Sequence, residues 1–158
     1  MSMKTSLIYS ILFLSLFPIA SMAEINLKRA QELSTEAISQ AESKKKCIAV
    51  AVVDDAANLL YFERSLCAPL GSIETSMQKA KSSALFRKPT SDFVAAVKSG
   101  RIGILSASGV VAVEGGLPIL IKGTFAGAIG IGGATSVEDE EFGKAALKKL
   151  DTYLKEEK

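Results

Sequence analysis

The side chains with most chemistry to offer are Lys79, Arg64, the pair Asp54-Asp55 and two cysteines, Cys47 and Cys67. A desolvated lysine amine forms Schiff bases with carbonyl groups, and an arginine near a strand end can hold a carboxylate through two parallel bonds. From its surroundings in the sequence, Lys79 reads as a solvated helix position and Arg64 as one half of a surface ion pair. Asp54 and Asp55 suggest a metal site or an acid–base pair, but no third ligand accompanies them and turn chemistry explains both. Other chemistry is excluded by composition. The chain of 158 residues contains no histidine, which removes the Ser-His-Asp triad, the Cys-His pair and histidine-ligated zinc. Two thiols are too few for a four-cysteine zinc or iron–sulfur site, and no metal site is expected. With 19 basic against 17 acidic residues, charge gives no reason to expect nucleic acid as a partner.

Two glycine-rich stretches remain. Gly127-Ala128-Ile129-Gly130-Ile131-Gly132-Gly133-Ala134-Thr135 looks like the start of a dinucleotide loop and fails in detail. Counted from Gly130 and Gly132, the third glycine of that motif would stand at Thr135. The next helix opens with Glu138, Asp139, Glu140 and Glu141, which suit a helix dipole and would repel a pyrophosphate. Thr135 with Glu138 makes a capping box, and close backbone packing accounts better for the glycines. Gly115-Gly116-Leu117-Pro118-Ile119 offers exposed backbone N–H groups beside apolar surface. That suits the rim of a small-molecule pocket, and equally an ordinary strand turn.

The elements that must position these residues follow from pattern. Residues 1–23 read as a secretory signal: Lys4, an apolar run over 7–20, then Ser21-Met22-Ala23 before Glu24. The run is short for a membrane span, which needs about 20 residues, and nothing later spans a bilayer. A single domain over 24–158 is therefore expected in the periplasm or secreted. Asn26 caps a helix to about residue 45, with Leu27, Ala30, Leu33, Ala37 and Ala41 on one stripe. Lys44-Lys45-Lys46 closes it and complements its dipole. Strands over 48–54 and 59–64 form a hairpin in which residues whose numbers sum to about 113 or 114 lie opposite each other. Cys47 and Cys67 fit that register, so a disulfide is expected in an oxidising compartment, two free thiols being the alternative. Residues 69–86 read as a helix rich in small residues that admits a close neighbour, a helix or a second subunit. A short helix over 91–98 and a loop over 99–107 follow. Three short strands are expected near 110–114, 117–121 and 125–131, then a helix after Thr135 burying Phe142, Ala146, Leu150 and Leu154. This order gives an α+β domain with a mainly antiparallel sheet.

Several segments together resemble the GlcG/HbpS-like family of haem-binding and haem-degrading-type proteins. They are Val52-Val53-Asp54 with Leu59-Leu60; Ala68-Pro69-Leu70-Gly71-Ser72-Ile73-Glu74; Lys79-Ala80 with Phe86 and Pro89-Thr90; both glycine-rich stretches; and Asp139-Glu140 with Leu147. The resemblance runs from about Leu27 to Leu154. It implies a profilin-like fold with a five-stranded antiparallel sheet flanked by helices, assembled as a homo-oligomer. It further implies a binding role: extracellular haem capture, glycolate or diol utilisation, or a domain attached to cobalamin adenosyltransferases. The sequence departs from the family pattern at Ala56-Ala57, where glycines are common, and at Leu66-Cys67 in place of Asp-Gly. The expectation is an exported binding or sensor module for haem or a related tetrapyrrole, without catalytic residues. Its expected ligand contacts are Arg64, Ser72, Met77, Lys79, Gly115, Gly116 and Pro118. Without histidine, the axial position would fall to Met77, Tyr61, a free cysteine or a threonine hydroxyl, or the haem would be held by apolar contact and propionate pairing. The alternatives are an enzyme acting on a small hydroxy- or oxo-acid, with Arg64 on the carboxylate and Lys79 or a carboxylate as base, and a structural oligomerisation module.

Overall fold

The structure, a computed structural model, describes residues 24–156; the expected signal over residues 1–23 lies outside them. Helix α1 (Leu27–Ser43) starts where Asn26 accepts the Arg29 N–H at 2.9 Å, and it buries Ala30, Leu33, Ala37 and Ala41. Leu27, expected on the same stripe, is exposed. Strands β1 (Ala49–Asp54) and β2 (Leu59–Arg64) form the expected hairpin, with Ala49 opposite Arg64 and Val52 opposite Tyr61. The register slips by one residue between Val52 and Val53. At the turn the Asp54 carboxylate accepts the N–H groups of Ala56 and Asn58, so it serves the turn. Cys47 and Cys67 are joined in a disulfide at the open end of the hairpin, their Cα atoms 5.6 Å apart.

Helices α2 (Gly71–Phe86) and α3 (Ser91–Lys98) follow, and residues Ile102–Ser106 form a 3₁₀ turn where a loop was expected. Strands β3 (Gly116–Ile121) and β4 (Thr124–Gly132) and helix α4 (Ser136–Glu156) complete the chain. All strand pairs are antiparallel, in the order β2-β1-β4-β3. Among the described residues the sheet therefore has four strands rather than five. The strand expected over 110–114 does not form, because this stretch bonds to an α2 hydroxyl and to its own preceding turn instead of to a neighbouring strand. Val111 N–H goes to the Ser82 hydroxyl and Val110 N–H to the Ala107 carbonyl, between glycines with φ of +84° (Gly109) and +115° (Gly115).

Alternation along the strands gives the sheet two unlike faces. Val50, Val52, Leu117, Ile119, Ile129 and Ile131 form one core with α1 and α4, whose Phe142, Ala146 and Leu150 are buried there. The opposite face carries Ala51, Val53 and Ala128 against Ala80 and Ala84 of α2. Small residues on both sides let α2 lie almost on the strand backbone. A Cβ added at Gly130 would collide with the Ser76 carbonyl oxygen and the Ala80 nitrogen, and one at Gly116 with the Lys79 carbonyl. The small-residue face of α2 is thus taken up by the sheet, neither by a second helix nor by another subunit.

Gly130→Ala is expected to lower stability by about 3 kcal/mol, the upper end of overpacking costs, because the obstacle is backbone on both sides. Urea unfolding of the purified variant checks this; a change below about 1 kcal/mol would mean that α2 sits further from β4 than described here.

Candidate functional site

The end of β4 runs between the first turns of α2 and α4, and an open cleft of about 310 Å³ lies over it. Pro69, Gly71, Ser72 and Thr75 line one wall, Ser136 and Asp139 the other, with Gly132, Gly133 and Ala134 below and Val113 at the side. At its base Lys79 and Asp139 form an ion pair at 2.8 Å, their side chains only 1% and 2% exposed. Lys79 Nζ also donates to the Ile131 carbonyl at 2.7 Å. Asp139 Oδ1 accepts the Ala134 N–H at 3.1 Å. Burial pushes the Asp139 carboxyl above its usual range, although the Lys79 ammonium and the Ala134 N–H both pull it down.

The other carboxylates at the start of α4 are held by partners of their own. Glu138 and Thr135 form the expected capping box, with Thr135 N–H and Oγ1 donating to Glu138 Oε2 at 3.1 and 2.8 Å and Glu138 N–H returning to Thr135 Oγ1 at 3.3 Å. These bonds, with Lys46 at 3.1 Å, hold the Glu138 carboxyl down at about 2. Glu140 accepts from Ser91 at 3.2 Å and Lys144 at 2.6 Å, and Glu141 accepts from Lys44 at 3.1 Å. The lysine run after α1 therefore pairs with α4 as well as closing its own helix. Ser136 donates to Glu114 at 2.7 Å, the main reason the Glu114 carboxyl sits below its usual range.

Of the residues expected to meet a ligand, the structure brings Ser72 and Lys79 to the cleft and places Gly115 behind them. A Cβ at Gly115 would lie 2.9 Å from Asp139 Cβ and 3.0 Å from Lys79 Nζ, so this glycine lets the chain close over the ion pair. Gly116 is buried, and its N–H donates to the Thr90 hydroxyl at 2.9 Å rather than standing exposed. Lys79 is buried, not solvated, because it lies on the same α2 face as Ser72, Ser76 and Ser83. Arg64, Met77 and Pro118 lie elsewhere. Arg64 ends the edge strand β2 and points one guanidinium N–H at the Leu66 carbonyl, 3.5 Å away. Met77 packs on the Ala51–Ala80 cluster, and Pro118 borders a separate hollow with Leu120, Leu147, Leu150 and Asp151. Arg64 and Lys79, paired in the enzyme alternative, are not brought together. Sequence reasoning missed Thr75, Val113, Ser136 and the inward turn of Asp139, which stands one helical turn before the buried Phe142.

An antiparallel sheet layered between helices, with a ligand-sized cleft over a glycine-rich strand end, defines an α+β scaffold of a recognisable kind. Residues 25–148 match the family described as haem degrading protein HbpS-like, and the chain belongs to that family. It is similar to Protein GlcG of Escherichia coli (strain K12), 34% identical over 98 residues that make up 60% of this chain and 72% of GlcG. The crystal structure of HbpS, 26% identical, superposes with a TM-score of 0.76 over 84% of this chain and 94% of that one. PduOC, solved as a haem complex, shares the fold at 22% identity, with a TM-score of 0.73 over 79% of this chain and 94% of its own.

Asp139→Ala leaves the Lys79 ammonium buried without its counter-charge and is expected to cost about 3–5 kcal/mol in urea unfolding. The double change Lys79→Met with Asp139→Leu removes both charges and is expected to recover most of that loss; a double variant no more stable than the single one would contradict it. Glu138 titrates at about 2 in the folded chain against an ordinary 4.5. Its contribution is therefore complete above about pH 4.5 and lost as pH falls toward 2. Glu138→Gln should flatten the acid limb of a melting-temperature profile in that window, and an unchanged limb would assign acid unfolding to other groups.

Proposed function

We propose that the chain is an exported binding module whose α2–α4 cleft takes haem or a related tetrapyrrole edge-on. The observation that carries this is the cleft itself: about 310 Å³, at the low end of small-molecule sites, and open to solvent. A flat guest inserts one edge there and lays the remainder over apolar side chains. Leu70 and Val137, next in the chain to lining residues, are 85% and 59% exposed, as a rim for such a guest requires. The family description and the haem complex of PduOC support the choice of guest, and the disulfide is compatible with export.

The residues present suit a haem held by its faces and acid groups rather than by a strong bond to iron. The sequence has no histidine, both cysteines are bridged and Met77 is packed away from the cleft. Ser72, Thr75 and Ser136 each donate their hydroxyl proton to a protein acceptor, leaving oxygen lone pairs as weak ligands. Pro69, Val113 and Ala134 offer apolar contact, and the two helix starts favour propionates. Bound haem supplies a redox-active iron; the chain holds and shields the macrocycle. Ser72, Lys79, Gly115 and Gly116 belong to this site or its backing, whereas Arg64, Met77 and Pro118 do not. Self-association accompanies the reading, since Leu85, Phe86, Ile102 and Leu105 expose apolar surface of the kind a second copy covers.

Titration with haemin, and with metal-free protoporphyrin to separate wall contact from ligation, is expected to give saturable spectral changes at micromolar concentration. Val113→Asp should weaken both by about tenfold by placing a charge against the macrocycle, while Arg64→Ala leaves them unchanged. A native mass spectrum of protein purified from its own compartment reports guest and subunit number together. The absence of any saturable change with haemin would overturn the proposal.

A further inference from the structure

Tetrapyrrole binding explains the walls of the cleft but not the primary amine at its base. Two helices can be joined as firmly by packed apolar residues as by a buried ion pair. The Lys79 ammonium makes two protein hydrogen bonds, to Ile131 and Asp139, and its third N–H has no acceptor among the described residues. Gly115 packs its backbone against Nζ, and Lys79 borders the cleft together with the hydroxyl-bearing Ser72 and Thr75. A buried lysine at the base of a cleft, with a carboxylate in contact that can take up and return its proton, has the parts that imine formation with a carbonyl compound needs.

We propose that Lys79 captures small uncharged aldehydes or ketones as a reversible imine, with Asp139 exchanging the protons. Lys79 passes one proton to Asp139 across 2.8 Å, and the freed lone pair forms a C–N bond to the carbonyl carbon as the C=O π bond opens. The oxygen takes the proton back from Asp139. A second proton then moves from nitrogen by the same route, the C–O bond breaks, water leaves and a C=N⁺ bond forms. Ammonium plus carbonyl becomes iminium plus water, so Asp139 faces one positive charge before and after. The raised affinity of the buried Asp139 carboxyl for a proton suits this exchange. An oxo-acid is disfavoured at this depth, because bonding to Nζ would bring its carboxylate against the buried Asp139 carboxylate, whereas propionates stay by the helix starts near the opening.

The test is reductive trapping on the folded full-length protein with propanal and cyanoborohydride, stopped at low conversion and mapped by peptide mass spectrometry. Lys79 is expected to carry the propyl group about tenfold faster than the exposed Lys28, Lys98 and Lys144. Labelling of Lys79 at the same rate as these or more slowly overturns the proposal, and the wild-type map alone decides it. Asp139→Asn, with its fold verified by circular dichroism, should abolish the preference while leaving Lys28 unchanged. A preference that persists in that variant removes Asp139 from the step. Haemin titration without a carbonyl compound, and trapping without haemin, are separate measurements, so either proposal can fail alone.

Discussion

The ammonium of Lys79 and the carboxylate of Asp139 meet where α2, α4 and the end of β4 converge, and the spacing of those elements follows from what two buried charges require. Removing an ion from water costs several kcal/mol even after the protein relaxes, and mutual attraction offsets this only when further hydrogen bonds complete the shell. The completing groups are backbone: the Ile131 carbonyl for the ammonium and the Ala134 N–H for the carboxylate. The pair therefore fixes a strand end, the segment after it and two helices at once. By contrast the solvent-facing pairs Lys44–Glu141 and Lys46–Glu138 tie the end of α1 to the start of α4 only weakly, and salt screens them.

Lys79 reaches that position only because α2 lies unusually near the sheet. Alternate glycines at the end of β4, Gly130 and Gly132, leave one face bare there while Ile129 and Ile131 fill the other. Gly116 of β3 continues the bare face beneath Lys79. A larger residue at any of these points lifts the helix and takes the amine away from Ile131 and Asp139. Packing and site are thus one feature, and the cleft is the place where the close approach of α2 ends, above Gly132 and Gly133.

Much of this was legible in the sequence because it is local. The Asn26 cap, the hairpin with its disulfide and the Thr135–Glu138 box each depend on residues a few positions apart or on a single register. The glycines of β4 were assigned to close packing because the dinucleotide motif fails at Thr135 and carboxylates follow it, and Gly130 and Gly132 do lie against the backbone of α2. The strand expected over 110–114 failed for a non-local reason: the side-chain hydroxyl of Ser82, 29 residues earlier, captures the Val111 N–H. Lys79 was misjudged on residue type, since lysine is rarely buried without a partner and its partner lies 60 residues away. Position held a usable signal, because Lys79 sits in register with Ser72, Ser76 and Ser83, and Asp139 with Phe142, Ala146 and Leu150. Two charged residues, each on an otherwise buried stripe of a different helix, imply one another.

That pairing also changes the electrostatics of the cleft. Four consecutive carboxylates at a helix start would exclude any acidic guest if all faced the opening, yet Glu138 is drawn to Thr135 and Lys46, Glu140 to Ser91 and Lys144, and Glu141 to Lys44. Only Asp139 lines the cleft, and Lys79 neutralises it. What remains is an apolar recess with hydroxyls, between two helix starts whose dipoles favour negative charge. A tetrapyrrole and a small carbonyl compound make different demands on such a space. The first needs wall area and a place for propionates, the second a single reactive atom at the base. Because Lys79 lies beneath the opening rather than in a wall, a macrocycle seated edge-on would close the route to the amine. Guest and carbonyl would then compete, and occupancy by one would report on the other without any movement of the fold.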